Sequence, residues 1–312
     1  MEKLNVGVVG VGYFGKYHAE KYASIPEVNL VGVVDINPER AGEVAEKNKT
    51  HAFSDAAELY GNVDAVSIAV PTPHHYSVAY EFLKRGIHVL LEKPMTSTVG
   101  EAKKLIELAQ AHNVTLQIGH LERFNPALTA LSNSLTNPRF IESHRLQSFI
   151  ERGIDVDVVM DLMIHDIDVI LSLVKSEVKE IRATGVPVIS PRIDIANARI
   201  TFENGCVANV TASRVSLKTM RKVRLFQPDA YFSIDFAKRS VSIHRKESGN
   251  GNGSSFPRIV AEHISPPEYD PLKAELQAFV ESVLTQTPPQ VTALDGLRAL
   301  EVAKEIHHQI GV

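Results

Sequence analysis

The sequence predicts an α/β protein in which a parallel-sheet domain is followed by an α+β domain with a mainly antiparallel, open sheet. Short apolar runs alternate with amphipathic stretches over the first third of the chain, and longer segments of alternating character follow after residue 195. Strands that alternate with helices indicate βαβ units and a parallel sheet. Because the pattern changes near His120, we expect one domain over residues 1–120 and a second over residues 121–312.

Five apolar runs are expected to form the parallel sheet. They are continuous rather than alternating, which is typical of strands that are buried on both faces. The runs cover residues 4–9, 28–34, 63–70, 87–91 and 114–118. Amphipathic stretches lie between them, for example residues 78–84 and 101–111, and are predicted to be the crossover helices.

The second half combines helices with antiparallel strands. Helices are predicted after Asn125-Pro126, because proline is favoured in a first turn, and from about Asp161 to Val174. Glu203-Asn204-Gly205 is a hairpin signal. Strands are expected over residues 196–202, 206–215, 223–226, 231–236 and 240–244, a mobile loop over 249–255, and closing helices near 271–284 and 295–310.

A glycine-rich turn follows the first strand. Gly10-Val11-Gly12-Tyr13-Phe14-Gly15 opens a helix, and Asp35 ends the second strand. This is the dinucleotide fingerprint of a Rossmann domain, in which the glycines let the backbone approach a pyrophosphate at the helix N-terminus. Asp35 would accept hydrogen bonds from a ribose and repel a 2′-phosphate, so NAD is favoured over NADP, although Arg40 could weaken that preference. The alternative is a glycine-rich turn in another kind of α/β protein.

Other cofactor contacts are expected at the carboxyl ends of the strands, where open α/β sheets bind ligands. Pro71-Thr72-Pro73 ends the third run, and Glu92-Lys93-Pro94 ends the fourth. The simpler interpretations are a rigid turn for the first motif and a surface lysine paired with Glu92 for the second. The predicted cofactor-binding residues are Gly10, Gly12, Tyr13, Phe14, Gly15, Asp35, Pro71, Thr72, Pro73, His75, Glu92 and Lys93.

The candidate chemistry depends on Lys93 and on the helix after residue 160. A strand-end lysine can stabilise a hydroxyl oxygen as it becomes negative. On a helix, Asp161, His165, Asp168 and Ser172 fall on one stripe, and an Asp one turn from a His can orient it as a general base. Alternatives are a solvent-facing edge or a metal site from Asp161 and His165, but no third ligand is obvious, so we expect no metal.

Asp166 lies outside that stripe, among apolar positions of the same helix. We expect it to be structural, paired with an arginine or a backbone donor.

Composition excludes several classes of protein. Lys and Arg total 33 against 37 Asp and Glu, a net charge of −4, whereas nucleic-acid binders usually carry a basic excess. No apolar stretch approaches the ~18 residues of a membrane span. The single cysteine, Cys206, allows no intrachain disulfide, and the N-terminus lacks signal-peptide features. We therefore expect a cytoplasmic protein with no nucleic-acid or membrane partner.

These motifs together resemble the Gfo/Idh/MocA oxidoreductase family, over essentially the whole chain. The resemblance implies that Lys93, Asp161 and His165 carry redox chemistry, and that the Lys93–Pro94 bond can be cis. It also implies a C-terminal domain whose open sheet face makes a homodimer or homotetramer.

Gly119-His120-Leu121-Glu122-Arg123-Phe124-Asn125-Pro126-Ala127 and the Asp161 helix also resemble the branch of UDP-N-acetylglucosamine 3-dehydrogenases. That branch makes a 3-keto sugar on the way to amide-linked lipid A. The residues expected to contact substrate are Lys93, Glu122, Arg123, Asn125, Arg145, Asp161 and His165. Arg145 would meet the diphosphate, residues 149–158 would form a substrate loop, and Arg123 could instead form a structural salt bridge.

Three alternative functions remain open from the sequence. One is a dehydrogenase or reductase of a free polyol such as inositol. The second is a non-catalytic NAD-binding sensor, and the third is a structural oligomerisation protein. The sequence leaves open whether Lys93 or His165 is the base.

Overall fold

A computed structural model describes residues 3–131, 134–149, 156–247, 258–265 and 269–311. The chain divides into two compact units. The first comprises Met1–Leu121 with Asp270–Leu300, and the second comprises Glu122–Tyr269 with Glu301–Val312. The division expected from the sequence therefore needs correction for residues 270–300, which return to the first unit because their apolar side chains complete its core.

The first unit is built on a parallel sheet of six strands. Their order is β3-β2-β1-β4-β5-β6, which is the Rossmann order. All five predicted strands are present. The strands are β1 (Leu4–Val9), β2 (Val28–Val34), β3 (His51–Phe53), β4 (Ala65–Ile68), β5 (His88–Glu92) and β6 (Leu116–Gly119). The sequence did not predict β3, which has only three residues and lies at the sheet edge.

Helices connect and cover these strands. They are α1 (Gly15–Ala23), α2 (Pro38–Asn48), α3 (His75–Leu83) and α4 (Val99–Ala111). The closing helix α7 (Pro271–Thr285) packs into the same core, where Leu276, Phe279, Val280 and Val283 join residues of β1, β2 and α1. Helix α8 (Ala293–Ile310) contains the boundary between the units, after Leu300.

The second unit is built on a mixed sheet of eight strands. Their order is β14-β13-β12-β11-β7-β10-β9-β8, and every pairing is antiparallel except that of β7 with β10. The strands are β7 (Phe140–Leu146), β8 (Val178–Val186), β9 (Ile195–Phe202), β10 (Val207–Ser213), β11 (Met220–Gln227), β12 (Ala230–Asp235), β13 (Ser240–Lys246) and β14 (Ile259–Ile264). The sequence did not predict β7, β8 or β14. The hairpin at Gly205 is confirmed, with the positive φ of 81° that favours glycine.

Two helical segments of the second unit carry predicted site residues. Helix α5 (Pro126–Thr129) is only one turn long and is capped by Asn125, whose side chain accepts from the Ala127 N–H. A π-helical turn (Val159–Met163) leads into α6 (Ile164–Val174). Both helices that the sequence predicted here are therefore present, with a wider turn where α6 begins.

Two loops that the sequence predicts lie wholly or partly outside the described residues. The predicted mobile loop at residues 249–255 and residues 150–155 of the predicted substrate loop lie outside the described residues. Within the described ranges, no helix has both the length and the apolar character needed to cross a membrane.

Candidate active site

The glycine-rich turn lies between β1 and α1 of the first unit. Gly10 has a φ of 84°, and a Cβ there would lie 2.8 Å from the Val70 backbone nitrogen. A Cβ on Gly15 would lie 1.8 Å from the Gly10 oxygen, so the turn accepts only glycine at this close approach. At Gly12, a Cβ would meet only Nη1 of Arg40, at 3.9 Å. The backbone of Gly12, at the N-terminus of α1, can therefore be approached closely, as a dinucleotide pyrophosphate requires.

Asp35 ties this turn to the end of β2. Its Oδ2 accepts from the Val11 N–H at 3.0 Å, and its Oδ1 accepts from the Asn37 N–H at 2.9 Å. Arg40 adds an ion pair at 3.1 Å. A carboxylate has about four acceptor positions, so Asp35 can still accept from a ribose hydroxyl. Arg40 lies next to Asp35, where the sequence placed it, and the role of Asp35 in selecting NAD over NADP stays a prediction.

Tyr13 and Phe14 lie in the same turn and are exposed. Their rings meet edge to face, with centroids 5.1 Å apart, and the Lys16 ammonium lies 5.7 Å from the Tyr13 ring centre. The backbone of Tyr13 and Phe14 belongs to the glycine-rich turn, while their side chains form an exposed aromatic surface beside it.

Pro71-Thr72-Pro73 leads from β4 into α3 through a short 3-10 turn, Thr72–His74. The next residue, His75, is buried, and its two ring nitrogens lie 2.8 Å from the Val70 oxygen and 2.9 Å from the Pro94 oxygen. Burial lowers the pKa of His75, although both carbonyls favour its protonated form. The His75 ring joins two backbone segments, and its expected contact with the cofactor stays a prediction.

Glu92, Lys93 and Pro94 follow β5, and the Lys93–Pro94 peptide bond is cis, as the resemblance implied. Oε2 of Glu92 accepts from the Lys93 N–H at 3.3 Å, and its Oε1 lies 3.1 Å from Nε2 of His18. Burial alone would raise the pKa of Glu92, but the contact with His18 and the charges of Lys93 and His75 lower it below its ordinary value. An ionised carboxylate therefore adjoins Lys93.

Asp161 and His165 lie on the helical segment of the second unit. Asp161 is in the π-helical turn, and His165 is in the first turn of α6. From Val158 to Leu171 every residue is buried except these two, which are half-buried. A carboxylate and an imidazole on an otherwise buried helix are costly unless they serve a site or a partner. Asp161 and His165 therefore occupy the two half-buried positions of this segment, and their role in the reaction stays a prediction.

Asp168 departs from the predicted stripe. It is buried, and its Oδ1 accepts from Nη1 of Arg123 at 3.3 Å. The stripe therefore does not continue past His165 as an open polar edge. The alternative interpretation of Arg123, a structural salt bridge, matches this contact.

Arg145 is also buried and paired. Its Nε and Nη2 donate to the two oxygens of Asp166 at 2.9 and 3.1 Å, and Nη1 and Nη2 donate to Oε1 of Glu122 at 3.1 Å. Burial alone would lower the pKa of Arg145, but the two carboxylates raise it above its ordinary value. Arg145 is therefore held in a buried ion-pair network, and its expected contact with a substrate diphosphate stays a prediction. The expected pairing of Asp166 with an arginine is confirmed.

Glu122 is held in that network, and Asn125 donates to Oε2 of Glu122 at 3.3 Å while capping α5. In the part of the chain that the structure describes, no three His, Cys, Asp or Glu side chains are grouped to hold a metal ion.

Comparison with known proteins identifies the family. The model of the Gfo/Idh/MocA oxidoreductase family with an NAD-binding Rossmann fold matches residues 4–120, and the model of the Gfo/Idh/MocA C-terminal domain matches residues 130–231. The chain belongs to the Gfo/Idh/MocA oxidoreductase family. The first unit of this family member is its NAD-binding domain, and NAD is its cofactor.

One relative is similar over nearly the whole chain. UDP-N-acetylglucosamine 3-dehydrogenase of Acidithiobacillus ferrooxidans is 39% identical over 307 residues, which are 98% of this chain and 97% of that protein. The solved structure of that enzyme aligns with a TM-score of 0.92 at 38% identity, over 99% of this chain and 98% of the other.

More distant relatives act on inositols. Myo-inositol 2-dehydrogenase of Thermotoga maritima is 26% identical over 95% of this chain and 93% of that protein. The structure of scyllo-inositol dehydrogenase from Lactobacillus casei, with bound NAD(H) and scyllo-inositol, shares the fold with a TM-score of 0.81 at 20% identity, over 99% of this chain and 97% of that one.

Sequence reasoning missed His18, which contacts Glu92 from α1. The signal was weak: a histidine three residues after the last glycine of the turn, on the helix face that packs against the sheet. A single buried histidine does not reveal its partner until the sheet brings β5 beside it.

Proposed function

We propose that this oxidoreductase converts a secondary hydroxyl of a nucleotide sugar to a ketone, with UDP-N-acetylglucosamine as substrate and C3 as the oxidised carbon. The observation that carries the proposal is the 39% identity with a UDP-N-acetylglucosamine 3-dehydrogenase over 98% of the chain. Two inositol dehydrogenases that cover 95% and 96% of the chain are 26% and 27% identical. The 3-keto product would be a substrate for amino transfer, as in the synthesis of amide-linked lipid A.

In this proposal His165 removes the hydroxyl proton and Lys93 stabilises the same oxygen. The proton moves from the sugar oxygen to the imidazole, and Asp161 orients that ring and stabilises its charged form. NAD, when bound, would supply the hydride acceptor for the sugar carbon, so the C–H and O–H bonds would break as the C=O bond forms.

The environment of Lys93 supports this division of roles. The pKa of the adjacent Glu92 is lowered, in part by the charge of Lys93, and a neighbouring carboxylate favours the ammonium form of a lysine. An ammonium donates hydrogen bonds and cannot accept a proton. Lys93 therefore suits stabilisation of the developing alkoxide, and the base role falls to His165.

Oxidation of a free polyol such as an inositol is the second candidate, favoured by the family relatives that act on inositols. NADH formation distinguishes the two. The purified enzyme is assayed with NAD and UDP-N-acetylglucosamine, UDP-glucose, free N-acetylglucosamine or myo-inositol, and UDP binding is followed by thermal shift. We expect turnover with UDP-N-acetylglucosamine and stabilisation by UDP. Turnover with myo-inositol alone, and no response to UDP, would replace the proposal with the polyol function.

We also propose that the outer face of the eight-stranded sheet pairs two copies of the chain in a homodimer or homotetramer. Phe140, Phe226, Tyr231 and His244 form a half-buried row across four adjacent strands, with successive ring centroids 5.8, 4.9 and 5.5 Å apart. Such a row is typical of an interface core. Light scattering should give a dimer or tetramer mass for the natural chain and a monomer mass for Phe226→Asp. A monomeric natural chain would exclude the pairing.

A further inference from the structure

A buried histidine connects α1, the helix that follows the glycine-rich turn, to Glu92-Lys93-Pro94, which we call the lysine segment. His18 lies on α1, three residues after Gly15, and has no exposed surface. Its Nδ1 is 2.6 Å from the hydroxyl oxygen of Ser67 in β4, and its Nε2 is 3.1 Å from Oε1 of Glu92. The ring therefore touches one partner on each side.

The contacts of His18 with Ser67 and Glu92 favour one of its two ring nitrogens as the position of the proton. A carboxylate oxygen only accepts, so an unprotonated Nε2 facing Glu92 would place two lone pairs against each other. The Ser67 hydroxyl, by contrast, can either donate to Nδ1 or accept from it. The 3.1 Å approach of Nε2 of His18 to the Glu92 carboxylate therefore favours a proton on Nε2.

The chain of contacts ends in the core beyond Ser67. The Tyr22 side chain lies beside Ser67 and is fully buried. Burial raises the pKa of Tyr22 well above its ordinary value, and Ser67 offsets only part of that rise. Tyr22 has no exposed surface, so this chain of contacts ends inside the core and does not lead to solvent. The role of these residues is positional and electrostatic.

Glu92 is placed to transmit that effect to Lys93. Its carboxyl group packs against β6, where a Cβ on Gly119 would lie 3.1 Å from it, so the carboxylate has little room to turn. The charged or titratable groups that face it are His18 from α1, His75 from α3 and the adjacent Lys93.

We propose that His18 is a positioning residue for the lysine segment: it fixes the Glu92 carboxylate and keeps it ionised, and that carboxylate holds Lys93 as an ammonium. The importance of the ammonium for turnover rests on the proposed function. Because His18 lies one turn into the helix whose N-terminus receives the cofactor, one side chain couples that helix to the residue that meets the substrate hydroxyl.

The test follows the ionisation of Glu92 directly. In the NAD-bound enzyme labelled with 13C at the glutamate side-chain carboxyl carbon, the Glu92 signal is assigned by its loss in Glu92→Gln and then titrated. His18→Gln keeps an N–H donor but cannot become charged, and Ser67→Ala removes the partner of Nδ1 with a minimal change in volume. His112→Gln, at an exposed helix end, is the matched control.

We expect His18→Gln to raise the titration midpoint of Glu92 by about one pH unit and to lower kcat about tenfold, with the KM for NAD within about twofold. Ser67→Ala should move the midpoint in the same direction by less, and His112→Gln should leave it unchanged. In the natural enzyme, 15N shifts of His18 should show a protonated Nε2.

An unchanged Glu92 midpoint in both His18→Gln and Ser67→Ala would overturn the proposal, as would a natural His18 protonated only on Nδ1. A purely structural role would lower the melting temperature and reduce kcat equally at every pH without moving the midpoint, and this result would also overturn it. If UDP-sugars are not oxidised but the midpoint moves, the proposed function fails while the link between His18 and Glu92 stands.

Discussion

Nδ1 of His75 lies 2.9 Å from the carbonyl oxygen of Pro94, the residue that directly follows Lys93. Nε2 of the same ring lies 2.8 Å from the Val70 oxygen, so one imidazole joins the segments that follow β4 and β5. Both segments lie at the carboxyl edge of the parallel sheet, where ligands bind in this architecture. A buried side chain outside the chemistry thereby holds the backbone beside the proposed catalytic lysine.

Replacing His75 should affect both stability and rate. His75→Ala removes a buried ring, and the carbonyl oxygens of Val70 and Pro94 lose their contact with it. We therefore expect the free energy of unfolding to fall by about 1–3 kcal/mol and kcat to fall about tenfold. The neighbouring His74 is exposed, and His74→Ala should change stability by less than about 0.5 kcal/mol. Urea unfolding and steady-state rates measure both. Equal behaviour of the two variants would show that the ring does not join these segments.

The proposed chemistry requires both Lys93 and His165. Lys93→Met and His165→Ala should each reduce turnover by on the order of 100-fold or more, because each removes a group that acts on the reacting oxygen. NAD binding, measured by calorimetry, should persist in both variants. Near-natural rates in both would remove these residues from the reaction.

Asp35 should control the choice of cofactor. Asp35→Ser removes the charge that repels a 2′-phosphate and releases Arg40, whose side chain is 45% exposed, to meet that phosphate. We expect kcat/KM to fall about tenfold for NAD and to rise for NADP, since a carboxylate and a phosphate at close range repel strongly. The double variant that combines Asp35→Ser with Arg40→Ala should not show this rise in kcat/KM for NADP. If NADP is used no better by Asp35→Ser, another residue sets the preference.

Replacing Arg145 distinguishes a structural role for this side chain from a role in binding the substrate. Arg145→Met leaves Asp166 and Glu122 without their shared cation, so the free energy of unfolding should fall by about 3–5 kcal/mol. Arg182→Met, which breaks an exposed ion pair with Glu180, should cost less than about 1 kcal/mol. A stable Arg145→Met protein with a raised KM for the UDP-sugar would instead support a contact between Arg145 and the diphosphate.

Asp194 should make stability depend on pH. Burial alone would raise its pKa, but hydrogen bonds from Ser190, Ile189 and Val188 lower the pKa of Asp194 to about 2. A carboxyl whose pKa is lowered in the folded state stabilises the fold above its ordinary pKa and loses that effect as pH falls.

Asp194→Asn should therefore reduce the free energy of unfolding by about 2 kcal/mol at pH 7. The difference from the natural chain should shrink between about pH 4 and pH 2, as followed by urea unfolding at several pH values. A difference that stays constant over this range would show that the contribution is not ionic.

Local patterns were sufficient for much of the fold. The first sheet was predictable because its strands are buried on both faces, which leaves continuous apolar runs in the sequence. β3 is different: His51–Phe53 is short and lies at an edge, so it leaves no such run. β7 was missed because its buried positions are Ile141, Ser143 and Arg145, so two of the three are polar or charged and no apolar alternation appears in the sequence.

The glycine turn was predictable because its geometry depends on short spacing, whereas the role of the Asp161–His165 pair stays a prediction. Contacts were not predictable where the partners come from distant strands and helices. Arg145 meets Asp166 across 21 positions, and His18 meets Ser67 across 49. Such contacts depend on sheet order and helix packing, which no local spacing records.

The return of Asp270–Leu300 to the first unit has a consequence for biosynthesis. Leu276, Phe279 and Val283 complete the hydrophobic core beneath the first strands, so the nucleotide-binding half lacks part of its interior while the ribosome is still making the second sheet. Domains usually fold as units, the N-terminal one first. Here the N-terminal unit must wait for almost the last helix, and a chain cut after Leu121 would leave that interior open to water.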